Sequence, residues 1–200
     1  MKTPRAGGRH PLLFYRRTMD RIWMATLALG LVLIAVSAFS LLKPIELFGM
    51  SSDAWLFVTA AVSLALSVFA FFARFVAYVQ AQRDSLKIVT PFLRFHISYK
   101  RMRSVRPTLT QQVFPPEKSS WSQRSFLEPF YGKTVLVVEL KGFPVSPILL
   151  KLFLPDSMFA RTTTGLVLLV PDWMQLSTDI DTFRGVWLQK ESVARIERRF

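Results

Sequence analysis

Residues 22–42, IWMATLALGLVLIAVSAFSLL, and residues 54–73, AWLFVTAAVSLALSVFAFFA, are two uncharged apolar runs separated by a short polar link. Each is about 20 residues long, and a helix rising about 1.5 Å per residue needs about that number to cross the hydrocarbon core of a bilayer. Neither run carries the polar stripe that a helix of a soluble protein turns to water. They read as membrane spans, about 22–42 and 54–79, forming a transmembrane hairpin over residues 22–83. The first run also exceeds the roughly 7–15 residues of a signal-peptide core, so a retained span is expected.

The flanks set the expected orientation. Lys2, Arg5, Arg9, Arg16, Arg17 and Arg21 precede the first span, Lys43 alone lies in the link 43–53, and Arg74, Arg83, Lys87 and Arg94 follow the second. Short loops rich in Lys and Arg stay inside, which puts the basic N-terminal segment 1–21 and the C-terminus in the cytoplasm. Trp23, Tyr78 and Trp55 sit near span ends, where amphipathic rings favour the headgroup level. Pro44 ends the first helix and Ser51, Ser52 and Asp53 offer caps for the second. Arg74, near the inner end, is read as a side chain whose long stem carries its charge to the interface.

After Asp84 the periodicity changes from helical to alternating, and a domain over 84–200 begins. Residues 85–89 predict a strand and Thr90-Pro91 a turn. Residues 92–98 predict a second strand with Leu93, Phe95 and Ile97 on one face and Arg94, His96 and Ser98 on the other. Residues 99–108 alternate imperfectly, as though a bulge falls near 100–102. Residues 109–132, rich in Pro, Ser and Gln, predict a long surface loop. Residues 134–140, 148–154 and 165–170 predict three more strands. Leu176, Ile180, Phe183 and Trp187 then share one helix face, with Thr178 and Asp181 as a capping pair and Trp187 expected in the core.

Two spans, a series of short strands and a terminal amphipathic helix resemble the bacterial membrane-anchored PH-like domain proteins. The stretch 93–105, LRFHISYKRMRSV, carries the resemblance, as a strand, a basic tyrosine-containing hinge and an apolar-x-Ser-Val continuation. The strand order after residue 133 and Trp187 add to it. The resemblance implies an α+β membrane protein with a PH-like antiparallel β-sandwich or barrel, capped by the C-terminal helix. It also implies a bacterial inner-membrane location and offers no catalytic residues.

Composition narrows the chemistry. The chain has no cysteine, which excludes disulfides and thiolate metal sites, and only two histidines, His10 and His96. His96 stands alone on its strand, and Glu139, between Val138 and Leu140, is expected on the solvent face. Asp172, Asp179 and Asp181 are explained by capping and turns and lack calcium-loop spacing. No phosphate-binding glycine loop, nucleophile elbow or zinc signature occurs. No enzyme and no cofactor are expected.

Lys and Arg number 26 against 13 Asp and Glu. Lys100, Arg101 and Arg103, with Arg94 and Arg106, form the candidate docking cluster for anionic lipid headgroups or an acidic protein partner. Nucleic acid is disfavoured, because the cluster lacks interleaved aromatics and a recognition helix. The alternative is a small accessory subunit of a larger membrane complex, with the hairpin as its interface. Ala35, Ser37, Ala38, Ala61, Ser63, Ala65 and Ser67 are the small residues that would permit close helix contacts there.

Overall fold

A strand lies on each side of the helical hairpin, and the two strands pair with each other. The computed structural model describes residues 6–42, 52–161 and 163–197. Strand β1 (Ala6–Pro11) is followed by helix α1 (Leu13–Leu42) and helix α2 (Ser52–Val76), then by β2 (Tyr78–Gln82). The chain divides into two units, Arg16–Phe75 and the remainder on both sides of it. The expectations for Lys43, Pro44 and Ser51 fall outside the described residues.

In the hairpin unit, both helices are long and apolar enough to cross a membrane. Their mutual face is small and polar. Ser63 Oγ donates to the Thr26 carbonyl at 2.8 Å and Ser67 Oγ to the Trp23 carbonyl at 3.0 Å. Gly30 sits close to the facing helix, where a Cβ would stand 2.8 Å from Leu64 Cδ2 and displace that side chain. Ala60, Ser63, Ser67 and Ala70 are buried, whereas Ala35, Ala38, Ala61 and Ala65 turn outward. Arg74 is held within the unit: its guanidinium meets the Asp20 carboxylate at 3.1 Å and lies over the rings of Phe71 and Phe75.

The second unit is α+β, with two antiparallel sheets and a C-terminal helix. Four strands form the first sheet in the order β1, β2, β3 (Ser85–Val89), β4 (Arg94–Ser98). Three form the second, in the order β5 (Met102–Leu109), β6 (Thr134–Leu140), β7 (Gly165–Leu168). Val79, Ala81, Leu86, Ile88, Phe95 and Ile97 are the buried alternate residues of the first sheet. Leu136, Val138, Leu166 and Leu168 are buried in the second. Gly165 allows β7 its approach to β6, because a Cβ there would stand 2.5 Å from the Val138 carbonyl oxygen.

Strands 85–89 and 134–140 fall where the alternation places them, and a 3-10 turn (Tyr99–Arg101) followed by an irregularity between Met102 and Ser104 forms the bend after β4. Four expectations change. Residues 6–21 hold a strand and the first turns of α1, and residues 78–82 are a strand, so the β unit reaches back across the hairpin. Residues 148–154 form helix α5 (Pro147–Phe153), because Pro147 fits the first helical position and Leu150 and Leu154 are buried four apart. The stretch 109–132 holds two short helices, α3 (Thr110–Val113) and α4 (Trp121–Leu127). It buries Phe114, Leu127 and Phe130, with Phe114 and Phe130 edge-on to Phe14.

The last helix, α6 (Trp173–Glu197), starts earlier than the capping pair suggested. Asp172 Oδ1 accepts from the Gln175 N–H at 2.9 Å and is the cap, whereas Thr178 lies inside the helix and bonds the Met174 carbonyl. The helix packs on β1, β2 and β6 through Leu176, Ile180 and Phe183. Trp187, one turn beyond, is only half-buried. Phe183→Ala is therefore expected to cost about 3–5 kcal/mol and Trp187→Ala distinctly less. Urea unfolding of the two detergent-solubilised full-length variants, followed by near-UV circular dichroism, checks the order.

Candidate functional site

The basic cluster is positioned by the turn that joins the two sheets. Tyr99 is buried at its start, and its phenol donates to the Gln82 carbonyl at 2.6 Å, fastening the turn to the end of β2. Burial, and then the negative charges of Asp84 and Asp179, push that phenol above its ordinary range, so it stays a donor. With Tyr99 turned inward, the next two side chains turn out. Lys100 and Arg101 are exposed, and Arg101 donates to the Phe143 carbonyl at 2.9 Å. Arg103, at the start of β5, is exposed as well.

Helix α6 brings a further cation to this end. Arg184 donates to the Arg103 carbonyl at 3.1 Å and reaches the Met102 carbonyl at 3.5 Å. Sequence reading missed it, although its place one residue after Phe183 puts it beside the helix's buried stripe. Lys100, Arg101, Arg103 and Arg184 thus share one end of the domain.

Arg94 belongs elsewhere. It is exposed at the start of β4, opposite Val89, whereas the basic turn follows Ser98, opposite Ser85. Four residues of strand separate the two rows, about 13 Å at the rise of an extended chain.

Arg106 is not a free cation. It pairs with Glu139 Oε1 across the β5–β6 ladder, and Ser104 Oγ donates to Glu139 Oε2 at 2.6 Å. Glu139 is buried instead of solvated, because these partners replace water on both carboxylate oxygens. The Ser104 hydrogen bond first, and then that of Arg106, hold its carboxyl below the usual glutamate range against the opposing effect of desolvation.

The two histidines differ. His96 is exposed, with Nδ1 3.4 Å from Ser85 Oγ. His10 is buried in β1, its Nε2 3.8 Å from Asp179 Oδ2, and the same carboxylate oxygen accepts the Gly8 N–H at 3.1 Å. Gln80 Nε2 donates to the Gly7 carbonyl at 2.8 Å, so polar contacts on two sides fix β1. Among the described residues no three His, Cys, Asp or Glu side chains gather as a metal site.

The Glu139 contacts set a pH dependence. A carboxyl whose folded pKa is lowered adds stability that is complete above about pH 4.5, near its unfolded value, and that is lost as pH falls through the folded pKa. Acid unfolding of the wild type is expected to steepen below that pH, and Glu139→Gln, measured by tryptophan fluorescence, is expected to flatten this limb. The chain matches no family model, no curated protein and no solved structure.

Proposed function

We propose that this chain is a two-span membrane protein whose cytoplasmic PH-like domain is a non-catalytic interaction module, with Lys100, Arg101, Arg103 and Arg184 receiving an acidic protein partner. The observation that carries this reading is the position of those cations relative to the β1–β2 ladder.

Three features support the membrane part. Large apolar side chains such as Met24, Val32, Phe39, Phe72 and Phe75 are more than half exposed, and only 11% and 28% of the most apolar windows of α1 and α2 are buried. Core helices of a soluble protein would bury far more. Pairing of β1 with β2 also requires the chain before the hairpin and the chain after it to lie on one side of the bilayer, as two spans do. Removing α1 as a cleaved leader would take β1 with it and leave the first sheet without an edge strand. The Lys and Arg of the flanks then favour the cytoplasm for that side.

The PH-like part rests on the order of four strands, three strands and a closing helix, with the hairpin inserted after the first strand. That order supports the sandwich-and-cap arrangement that the resemblance of residues 93–105 implies.

The choice between lipid and protein for the basic turn follows from distance. Pro11 pairs with Tyr78, and the chain enters α1 and returns from α2 through single residues, Leu12 and Ala77, at that end of the ladder. Lys100 and Arg101 follow β4 at the other end of that sheet, about 13 Å along the strands from the row where the chain enters and leaves the hairpin, and Arg103 follows them at the start of β5. The Debye length is about 8 Å at physiological ionic strength, so a leaflet at that distance would attract these cations only weakly. A protein surface brought into contact is not subject to that separation.

The test uses the full chain in nanodiscs and in native membranes. Replacing Lys100, Arg101 and Arg103 together by Gln is expected to remove a salt-sensitive cross-linked partner, while stability changes by less than about 0.5 kcal/mol for each exposed site. Cross-linking to anionic lipid through these residues, with protein cross-links unchanged in the triple variant, would reject the reading. Reporter fusions at Glu46 and after Phe200 are expected to place the link outside and the C-terminus inside. A C-terminus outside would reject the topology.

A further inference from the structure

The first sheet also has an end near the spans, and an unusual group of side chains is exposed there. One register row runs across all four strands: Pro11 opposite Tyr78, Tyr78 opposite Val89, and Val89 opposite Arg94. The turn between β3 and β4 therefore lies at the end of the sheet from which the chain enters α1 and returns from α2. Phe92, in that turn, is 53% exposed and stacks on Phe153 of α5, ring centroids 5.9 Å apart.

Helix α5 is amphipathic in an inverted sense. Leu150 and Leu154 face the core, while Ile148, Leu149 and Leu152 face outward, at 80%, 45% and 73% exposure. A helix on a soluble surface would carry polar residues at those three positions. The charges beside this apolar face are Lys151 within the helix and Arg94 next to the Phe92 turn, both exposed, with Asp156 in the following turn. An outward apolar face with one cation on its helix and another beside the Phe92 turn matches the interfacial zone of an anionic bilayer, where the apolar side enters the acyl boundary and the basic side chains reach the headgroups.

We infer that α5 and the Phe92 turn insert into the cytoplasmic leaflet of the membrane that the protein's own spans cross, as a third, interfacial contact of the domain with lipid. The occupant is lipid and not a protein because the patch shares the end of the sheet where the spans begin, and a tethered bilayer is already at high effective concentration there. The insertion depth expected for such a face is about 5–10 Å into the headgroup and acyl boundary. It also divides the surface by role, with lipid at the Phe92 end and the acidic partner at the Lys100 end. The inference rests on the reading of α1 and α2 as spans, and its test separates the two.

The chain has no cysteine, so single labels are unambiguous. Nitroxide labels at Ile148→Cys, Leu152→Cys, Val32→Cys and Leu188→Cys, each in the full chain at one protomer per nanodisc with anionic lipid, report collision with oxygen and with a water-soluble nickel chelate. Val32 lies on the outward face of α1. Leu188 is half-exposed on α6, one turn past Arg184, which bonds the Arg103 carbonyl. The expected result is oxygen collision several-fold above chelate collision at 148, 152 and 32, and the reverse at 188. Lipid-like behaviour at 32 with water-like behaviour at 148 and 152 overturns the inference and leaves the spans standing. Water-like behaviour at all four sites overturns both. Protection at 148 and 152 that appears only when several protomers share a vesicle overturns it in favour of a contact between copies.

Discussion

The β1–β2 ladder is the constraint on which the rest depends. Arg9, His10 and Pro11 pair with Gln80, Val79 and Tyr78, joining residues that the whole helical hairpin separates in sequence. A short strand next to a long insertion is expensive to close, although loop-closure entropy grows only slowly with length. The pairing is held by more than its own hydrogen bonds. Leu12 N–H continues the ladder to the Ala77 carbonyl at 3.2 Å, and Leu13 N–H, which no intrahelical partner can satisfy, bonds the Leu169 carbonyl at 2.9 Å. The first turn of α1 also carries Phe14, edge-on to Phe114 and Phe130. The stretch 109–132 thus has a structural role, closing the core around the start of α1.

From that ladder the two ends of the sheet acquire different character. Gly7 lets β1 run close to α6. A side chain at Gly7 would collide with the Asp179 carboxylate, which instead takes the Gly8 N–H and lies beside buried His10. At the end away from the spans, Tyr99 anchors a turn whose following residues must face solvent. At the near end, the β3–β4 turn and α5 present apolar rings and branched side chains. The proposals for partner and lipid divide the surface along this axis, and they follow from one register and not from separate assumptions.

Several polar groups are paired inside each unit. Ser63 and Ser67 bond carbonyls of the facing helix, Asp20 neutralises Arg74, and Glu139 is covered by Ser104 and Arg106. Each places a polar atom where an unpaired one would cost about 1–3 kcal/mol. Pairing of Arg106 withdraws it from the docking cluster, and the backbone bonds of Arg184 bring another cation in.

The sequence by itself determined the elements whose pattern is local. Two uncharged runs of about 20 residues specify long apolar helices. Period-two alternation specifies β3, β4 and β6, and the Leu176, Ile180 and Phe183 spacing specifies the closing helix. Exposure of Lys100 and Arg101 could also be read, because buried Tyr99 leaves its neighbours outside. Tertiary structure alone decided that AGGRHP is a strand: it is short, glycine-rich and basic, and its partner lies beyond the hairpin, so no local signal exists. It likewise decided that PILLKLF is a helix, since a short apolar run fits either period until packing of Leu150 and Leu154 selects one. Burial of Glu139 and the partial exposure of Trp187 belong to the same class. Alternation and helical spacing fix only the direction of a side chain, whereas its solvation is fixed by what the rest of the fold brings against it.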